Sequence, residues 1–173
     1  PISNNKKHFY CKYEYPFQVE LATQSFEWTK KHATQKSKDY MKNLPFEIAF
    51  FVCDKKVKIF HATPLKNNLY WHSDRDEDFF LHMARKAEAD IMIYGHTHIP
   101  YIKKMNNKVF INAGSVGKPK DGDTRACVCI VDIIPDNVTT EFLRIPYNIE
   151  KVASAIVESG LPHYFAEKLR AGK

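Results

Sequence analysis

At 173 residues the chain can form one domain with a sizeable core, and 44% hydrophobic with 27% charged residues is the balance of an ordinary globular protein. No apolar run approaches the ~20 residues that cross a bilayer, which excludes a helical membrane span. The net charge of +6 suits a phosphate-bearing partner, but Lys6-Lys7, Lys30-Lys31, Lys36, Lys38 and Lys103-Lys104 are dispersed and no nucleic-acid-binding module frames them, so nucleic acid is not indicated.

The chain opens Pro1-Ile2-Ser3-Asn4-Asn5-Lys6-Lys7, with neither an initiator Met nor the apolar core of a signal peptide. It is expected to continue a longer protein. Residues 9–15 are aromatic and partly alternating and read as irregular chain or a short strand. Over residues 25–43, Phe26, Trp28, Ala33, Tyr40 and Met41 recur at helical spacing, predicting one helix or two short ones. Pro45 then stops helix growth, having no amide donor and restricting its predecessor. Residues 47–53 and 57–60 predict a hairpin around Asp54-Lys55-Lys56 that ends at His61. Residues 76–86 carry Phe79, Phe80 and Met83 on one helical face, with Ala87 just beyond. A buried strand over 90–94 leads into Gly95-His96-Thr97-His98. Strands at 101–105 and 108–111 flank Asn106-Asn107, a pair tolerant of the left-handed backbone that hairpins need. After a loop over 112–124 come strands at 126–133 and 139–145, joined around Pro135-Asp136-Asn137. A helix begins near Ile149 and another follows Pro162, with Gly160 and Pro162 as stop and restart. Strands and helices are mixed without a strict repeat, which predicts an α/β fold.

The chemistry concentrates at strand ends. Neutral imidazole is the commonest protein ligand for transition metals, and His96 and His98, one residue apart on an extended tip, can reach one ion or two adjacent ones. Gly95 lets the backbone turn sharply before them. A second strand ends at Phe60-His61-Ala62-Thr63-Pro64. The loop Asn112-Ala113-Gly114-Ser115-Val116-Gly117 either approaches phosphate oxygens through its amides or merely buttresses the histidine corner. It lacks the spacing of a nucleotide P-loop. Asp74, Asp76 and Asp78 lack the glycine and terminal Glu of an EF-hand and read as an acidic helix start. Cys11, Cys53, Cys127 and Cys129 are few and irregular, read as small buried hydrophobes, and point to a reducing cytoplasm. His8, His32, His72, His82 and His163 have no patterned partners and are assigned structural or surface places.

Taken in order, these segments resemble the C-terminal half of the calcineurin-like metallophosphoesterases, in their small bacterial and archaeal phosphodiesterase branch. That family carries Asp-x-His, Gly-Asp-x-x-Asp, Gly-Asn-His-Asp/Glu, a lone His after a strand, and Gly-His-x-His. His61 resembles the fourth motif and Gly95-His96-Thr97-His98 the fifth, while residues 111–117 are similar to the family's Asn-x-Gly-Ser segment. The first three motifs occur nowhere in the 173 residues. The resemblance implies the C-terminal part of a four-layer α/β/β/α sandwich with mixed sheets. Residues 1–173 would form a single metallophosphoesterase-like domain whose N-terminal portion lies outside the chain. It implies a metal-dependent phosphoesterase, specifically a phosphodiesterase, using a hydroxide activated by two divalent transition-metal ions (Mn, Fe, Zn or Ni). His61 and His96 would ligate one ion and His98 the other, with Asn112, Gly114 and Ser115 in substrate binding. The catalytic histidine and the carboxylates would lie upstream, so this chain alone would be inactive. The implied partners are a phosphate-ester substrate and that N-terminal segment, with no membrane. The alternative is a phosphoesterase-like fold serving as a non-catalytic binding or scaffolding module.

Overall fold

In the computed structural model, which describes residues 15–173, two tight hairpins organise the main sheet. Their turn residues, Cys53-Asp54 and Asn106-Asn107, all take left-handed backbone (φ 48°, 60°, 47° and 59°). That is what a two-residue turn needs if its twist is to match the flanking strands. The first turn is therefore Cys53-Asp54, one residue earlier than the lysine-rich turn predicted from sequence, and Lys55 already pairs with Val52. Strand β1 (Glu47–Val52) runs antiparallel to β2 (Lys55–Phe60), and β4 (Tyr101–Met105) antiparallel to β5 (Lys108–Asn112). Between them lies β3 (Ile91–Tyr94), parallel to both β2 and β5, giving the order β1-β2-β3-β5-β4. Asp90 pins the starts of the three parallel strands. Its carboxylate accepts from Lys56 N–H (2.8 Å) and from the Lys108 ammonium (2.9 Å), and its carbonyl accepts from Val109 N–H.

Alternation along these strands separates two apolar layers. Phe60, Met92, Tyr94 and Phe110 face helix α3 (Glu77–Ala87), where they meet Phe80, Met83, Ala84 and Ala87 around the fully buried Trp71. Val57, Ile91, Val109 and Ile111 face the other way, onto a two-stranded antiparallel sheet of β6 (Ala126–Ile134) and β7 (Asn137–Ile145). Each large apolar side chain so buried contributes about 1.5–3 kcal/mol. The result is the mixed α/β architecture with a mixed sheet that the sequence predicted. Asp76 caps α3, its Oδ1 accepting from Phe79 N–H at 2.7 Å, so the acidic run serves a helix start.

Helix α1 (Pro16–His32) begins nine residues before the predicted helical stretch at 25, and α2 (Gln35–Lys42) follows after a break at Ala33-Thr34. Periodicity misses the early start because α1 buries none of its residues fully; Pro16 in the first turn and Gln18 reaching back to Tyr15 N–H set it instead. The predicted aromatic segment falls, but for Tyr15, outside the described residues, as do Cys11 and His8. Helices α4 (Ile149–Glu158) and α5 (His163–Ala171) close the chain as a pair around Ala153, Ala166 and Leu169, tied by a bidentate Arg170–Glu150 contact at 2.9–3.0 Å. Trp28 Nε1 donates to Ser159 O at 2.7 Å and fastens α1 to the end of α4. Cysteine burial needs one correction. Cys127 is buried and Cys129 half-buried, but Cys53 is exposed because it occupies the β1–β2 turn. Among the described residues no helix is long and apolar enough to cross a membrane.

Candidate metal centre

Parallel strands bring their carboxyl ends to one edge of a sheet, the usual position of sites in open α/β folds. Here that edge collects His61 after β2, the Gly95–His98 turn after β3, and Asn112 at the end of β5. His61 Nε2 and His96 Nδ1 meet at 3.0 Å although they lie 35 residues apart. The rings cross edge to face at 4.9 Å, and Tyr70 covers His96 at 4.5 Å.

The turn that presents the histidines is strained. His96 and His98 both have left-handed backbone, φ 65° and 64°, a conformation that costs a side-chain-bearing residue about 1–3 kcal/mol and collects at functional sites. Asn112 holds the turn in place. Wholly buried, it donates from Nδ2 to Gly95 O and Thr97 Oγ1, both at 2.9 Å, and accepts from Gly114 N–H at 3.0 Å. Thr97, buried between the two histidines, adds an N–H bond to Gly95 O at 2.7 Å. Asn112 was expected in substrate binding; its amide is spent on this brace and presents no face to solvent. Gly114 and Ser115, expected beside it, also shape the loop. Gly114 takes φ +77°, and a Cβ there would stand 2.9 Å from Cys127 Sγ. Ser115 Oγ accepts from Lys118 N–H at 3.0 Å, and its carbonyl from Cys127 N–H.

Burial lowers the pKa of all three histidines. His96 falls to about 4, first through desolvation and then through the charges of His61, His98, Lys120 and His72. His61 and His98 are lowered chiefly by desolvation, with the hydrogen bond to Lys118 O opposing the trend at His98. Imidazoles kept neutral near pH 7 keep a lone pair for a metal ion. His98 Nδ1 donates to Lys118 O at 2.7 Å, which leaves the lone pair on Nε2 and orients the ring as a carbonyl behind a metal ligand does.

One feature of the pair fits a divalent transition metal. Nitrogens bound to one ion at about 2.1 Å stand about 3.0 Å apart when they meet it at a right angle, and His61 Nε2 and His96 Nδ1 show that separation. The fit is partial, however. Among the described residues no set of three or more His, Cys, Asp and Glu side chains gathers to hold an ion. His61 and His96 are in contact, and His98 lies within electrostatic reach of both. Tyr70 and Lys120, which went unnoticed in the sequence, also face this corner, as does His72, which was assigned a structural or surface place. None has a patterned neighbour, and only the fold brings them here.

A model of the calcineurin-like phosphoesterase superfamily domain matches residues 20–135. An uncharacterized protein of Methanocaldococcus jannaschii is 30% identical over 163 residues, covering 84% of this chain and 64% of that protein. A probable metallophosphoesterase of Mycoplasma genitalium is 28% identical over 79 residues, covering 46% of this chain and 45% of its own length. The chain thus spans less than two thirds of the length of either relative. A hypothetical protein of Pyrococcus horikoshii superposes with a TM-score of 0.75 at 16% identity, over 93% of this chain and 63% of that one. A metallophosphoesterase from Sphaerobacter thermophilus does so at 0.72 and 22% identity, over 94% and 72%. At these identities the two structures establish a shared fold.

Proposed function

The chain belongs to the calcineurin-like phosphoesterase superfamily, and from that premise we propose that it carries the imidazole side of a two-metal phosphodiesterase site. The observation that supports this most is the 3.0 Å meeting of His61 and His96 beneath a strained Gly-His-Thr-His turn. His61 and His96 would hold one ion and His98 the second. When bound, a pair of divalent ions (Mn, Fe, Zn or Ni) supplies Lewis-acid activation of water and neutralises phosphoryl charge. The chain's own residues prepare the place. Partial burial favours the neutral form of His96 and His98, the Lys118 carbonyl aims His98, and the Asn112 brace holds both histidine backbones in their unfavourable conformation. The carboxylate ligands and a catalytic histidine come from polypeptide beyond these residues, completing a domain of which residues 1–173 are the C-terminal part. Free Cys53, Cys127 and Cys129 fit a reducing cytoplasm.

Metal stoichiometry and turnover of bis(p-nitrophenyl) phosphate test the proposal. The full-length polypeptide bearing these residues should hydrolyse the diester with manganese, and His96→Ala should lower turnover at least a hundredfold while His163→Ala leaves it intact. The 173-residue chain alone should show turnover no higher than buffer. Unchanged turnover in His96→Ala ends the catalytic claim, and absence of both metal and turnover in the full-length protein favours the scaffolding alternative.

A further inference from the structure

The loop over residues 112–124 holds His98, whose Nδ1–H donates to Lys118 O at 2.7 Å and whose carbonyl accepts from Lys120 N–H at 3.4 Å. Between those two contacts lies Pro119, wholly buried. Proline confines the residue before it to extended backbone, so the Lys118 carbonyl points where the loop as a whole is set. The loop is gripped at both ends by the β6–β7 sheet. At its start, Ser115 O accepts from Cys127 N–H at 3.0 Å. At its end, Asp121 accepts from both terminal nitrogens of Arg144, which sits opposite Cys127 on β7. The two side chains are only 18% and 17% exposed. Arg144 also stands 3.7 Å from Asp123, which Arg125 holds bidentately at 2.6–3.2 Å. Between the aspartates, Gly122 N–H donates to Gly172 O at 3.0 Å, beyond the end of α5.

A largely buried ion pair adds little net stability over an apolar pair of the same size, because both charges are desolvated. It does fix geometry, since the planar guanidinium fork meets a carboxylate in one orientation. We propose that Arg144 is a positioning residue of the metal corner: by holding Asp121 it fixes the Lys118 carbonyl, and through that carbonyl the tautomer and direction of the His98 ring. The inference rests on the phosphoesterase reading for what His98 does with a metal ion, and on the contacts from β7 through the loop for how the ring is set. Loss of the group directly behind a metal-ligating histidine lowers metal affinity about 10–100-fold. Arg144 acts one step further back, and its loss should reproduce the lower end of that range.

Nitrogen-15 NMR of the histidine rings of the full-length polypeptide in EDTA tests the proposal without metal or turnover, and zinc titration adds the affinity. The parent His98 should show one tautomer, protonated on Nδ1. Arg144→Leu and Asp121→Asn should each admit the other tautomer and lower zinc affinity about tenfold. The double variant should go no further than either alone, and Arg144→Lys should fall between Arg144→Leu and the parent. Lys108→Met breaks the Asp90 ion pair at the opposite end of the main sheet and should leave His98 as it was. Circular dichroism identifies variants that do not fold; if Arg144→Leu is among them, the double variant, which leaves neither partner of the pair alone, carries the same test. A parent His98 protonated on Nε2, an unchanged tautomer in the folded variants, zinc affinity that holds while the tautomer shifts, or equal effects from Lys108→Met overturns the proposal. A parent that binds no zinc, with the His98 tautomer still released by Arg144→Leu, faults the metal reading and supports this one.

Discussion

Asn112→Ala tests whether one buried amide sets the geometry of the metal corner. The substitution deletes three hydrogen bonds, to Gly95 O, Thr97 Oγ1 and Gly114 N–H. At about 1 kcal/mol net for each, the loss is about 3 kcal/mol. Gly95 O and Thr97 Oγ1 keep other partners, Thr97 N–H and Ile99 N–H, so the sharpest local penalty falls on the Gly114 amide. For a domain of this size 1 kcal/mol moves Tm by about 2–4 °C, and the expected drop is about 6–12 °C. With the brace gone, nothing equivalent holds His96 and His98 in left-handed backbone, so zinc affinity should fall at least tenfold at a temperature where the variant is still folded. The assay pairs calorimetric melting in EDTA with zinc titration at 15 °C. Asn148→Ala is the control. It removes the cap of α4, a 2.9 Å bond to Lys151 N–H, and should cost about 1 kcal/mol without touching zinc affinity. A Tm within 2 °C of the parent, or zinc affinity lowered as much by Asn148→Ala, would refute the reasoning.

Three further outcomes are expected. His96→Gly should raise stability in EDTA by about 1 kcal/mol, because glycine takes φ 65° without penalty, while zinc affinity falls; a less stable variant would show that the backbone is not strained. Gly114→Ala should destabilise by at least about 1–2 kcal/mol from its positive φ, and adding Cys127→Ala should recover only the part due to the 2.9 Å contact, as read by urea unfolding. Asp90 is held below its ordinary pKa first by Lys108 and also by the Lys56 amide. Its stabilising effect is therefore complete above the unfolded value near 4 and fades as pH falls through the lower folded value. The Tm gap between parent and Asp90→Asn should close below about pH 4, and a gap that widens there contradicts the assignment.

The hairpins, α3 and the two histidine-bearing strand ends were legible in sequence because local rules decide them. Asn106-Asn107 permits left-handed turns, Asp76 starts a helix, and Ile91-Met92-Ile93 has no reading but a buried strand. Helix α1 was legible only in its second half, since its beginning depends on Pro16 and Gln18 rather than on an apolar face. Within the site, the histidines announced themselves and their support did not. Asn112 entered as a substrate contact through its likeness to an Asn-x-Gly-Ser segment; its part in bracing the histidine turn follows from the parallel pairing of Tyr94 with Asn112, which a single sequence does not show. Tyr70 and Lys120 owe their places to chain segments that approach only in three dimensions, for which a single sequence has no local sign.

The crossover between β2 and β3 also gives the molecule a built-in optical gauge. Trp71 lies within that connection, fully buried and stacked 4.3 Å from Tyr94, so its emission is native only when the strand–helix–strand unit has closed. Trp28, on α1, reaches Ser159 and stacks on His32 at 4.2 Å, and its emission follows the docking of α1 onto α4. With Trp28→Phe and Trp71→Phe in turn, two refolding traces from otherwise matched chains would time the closing of the metal-bearing edge separately from the arrival of α1.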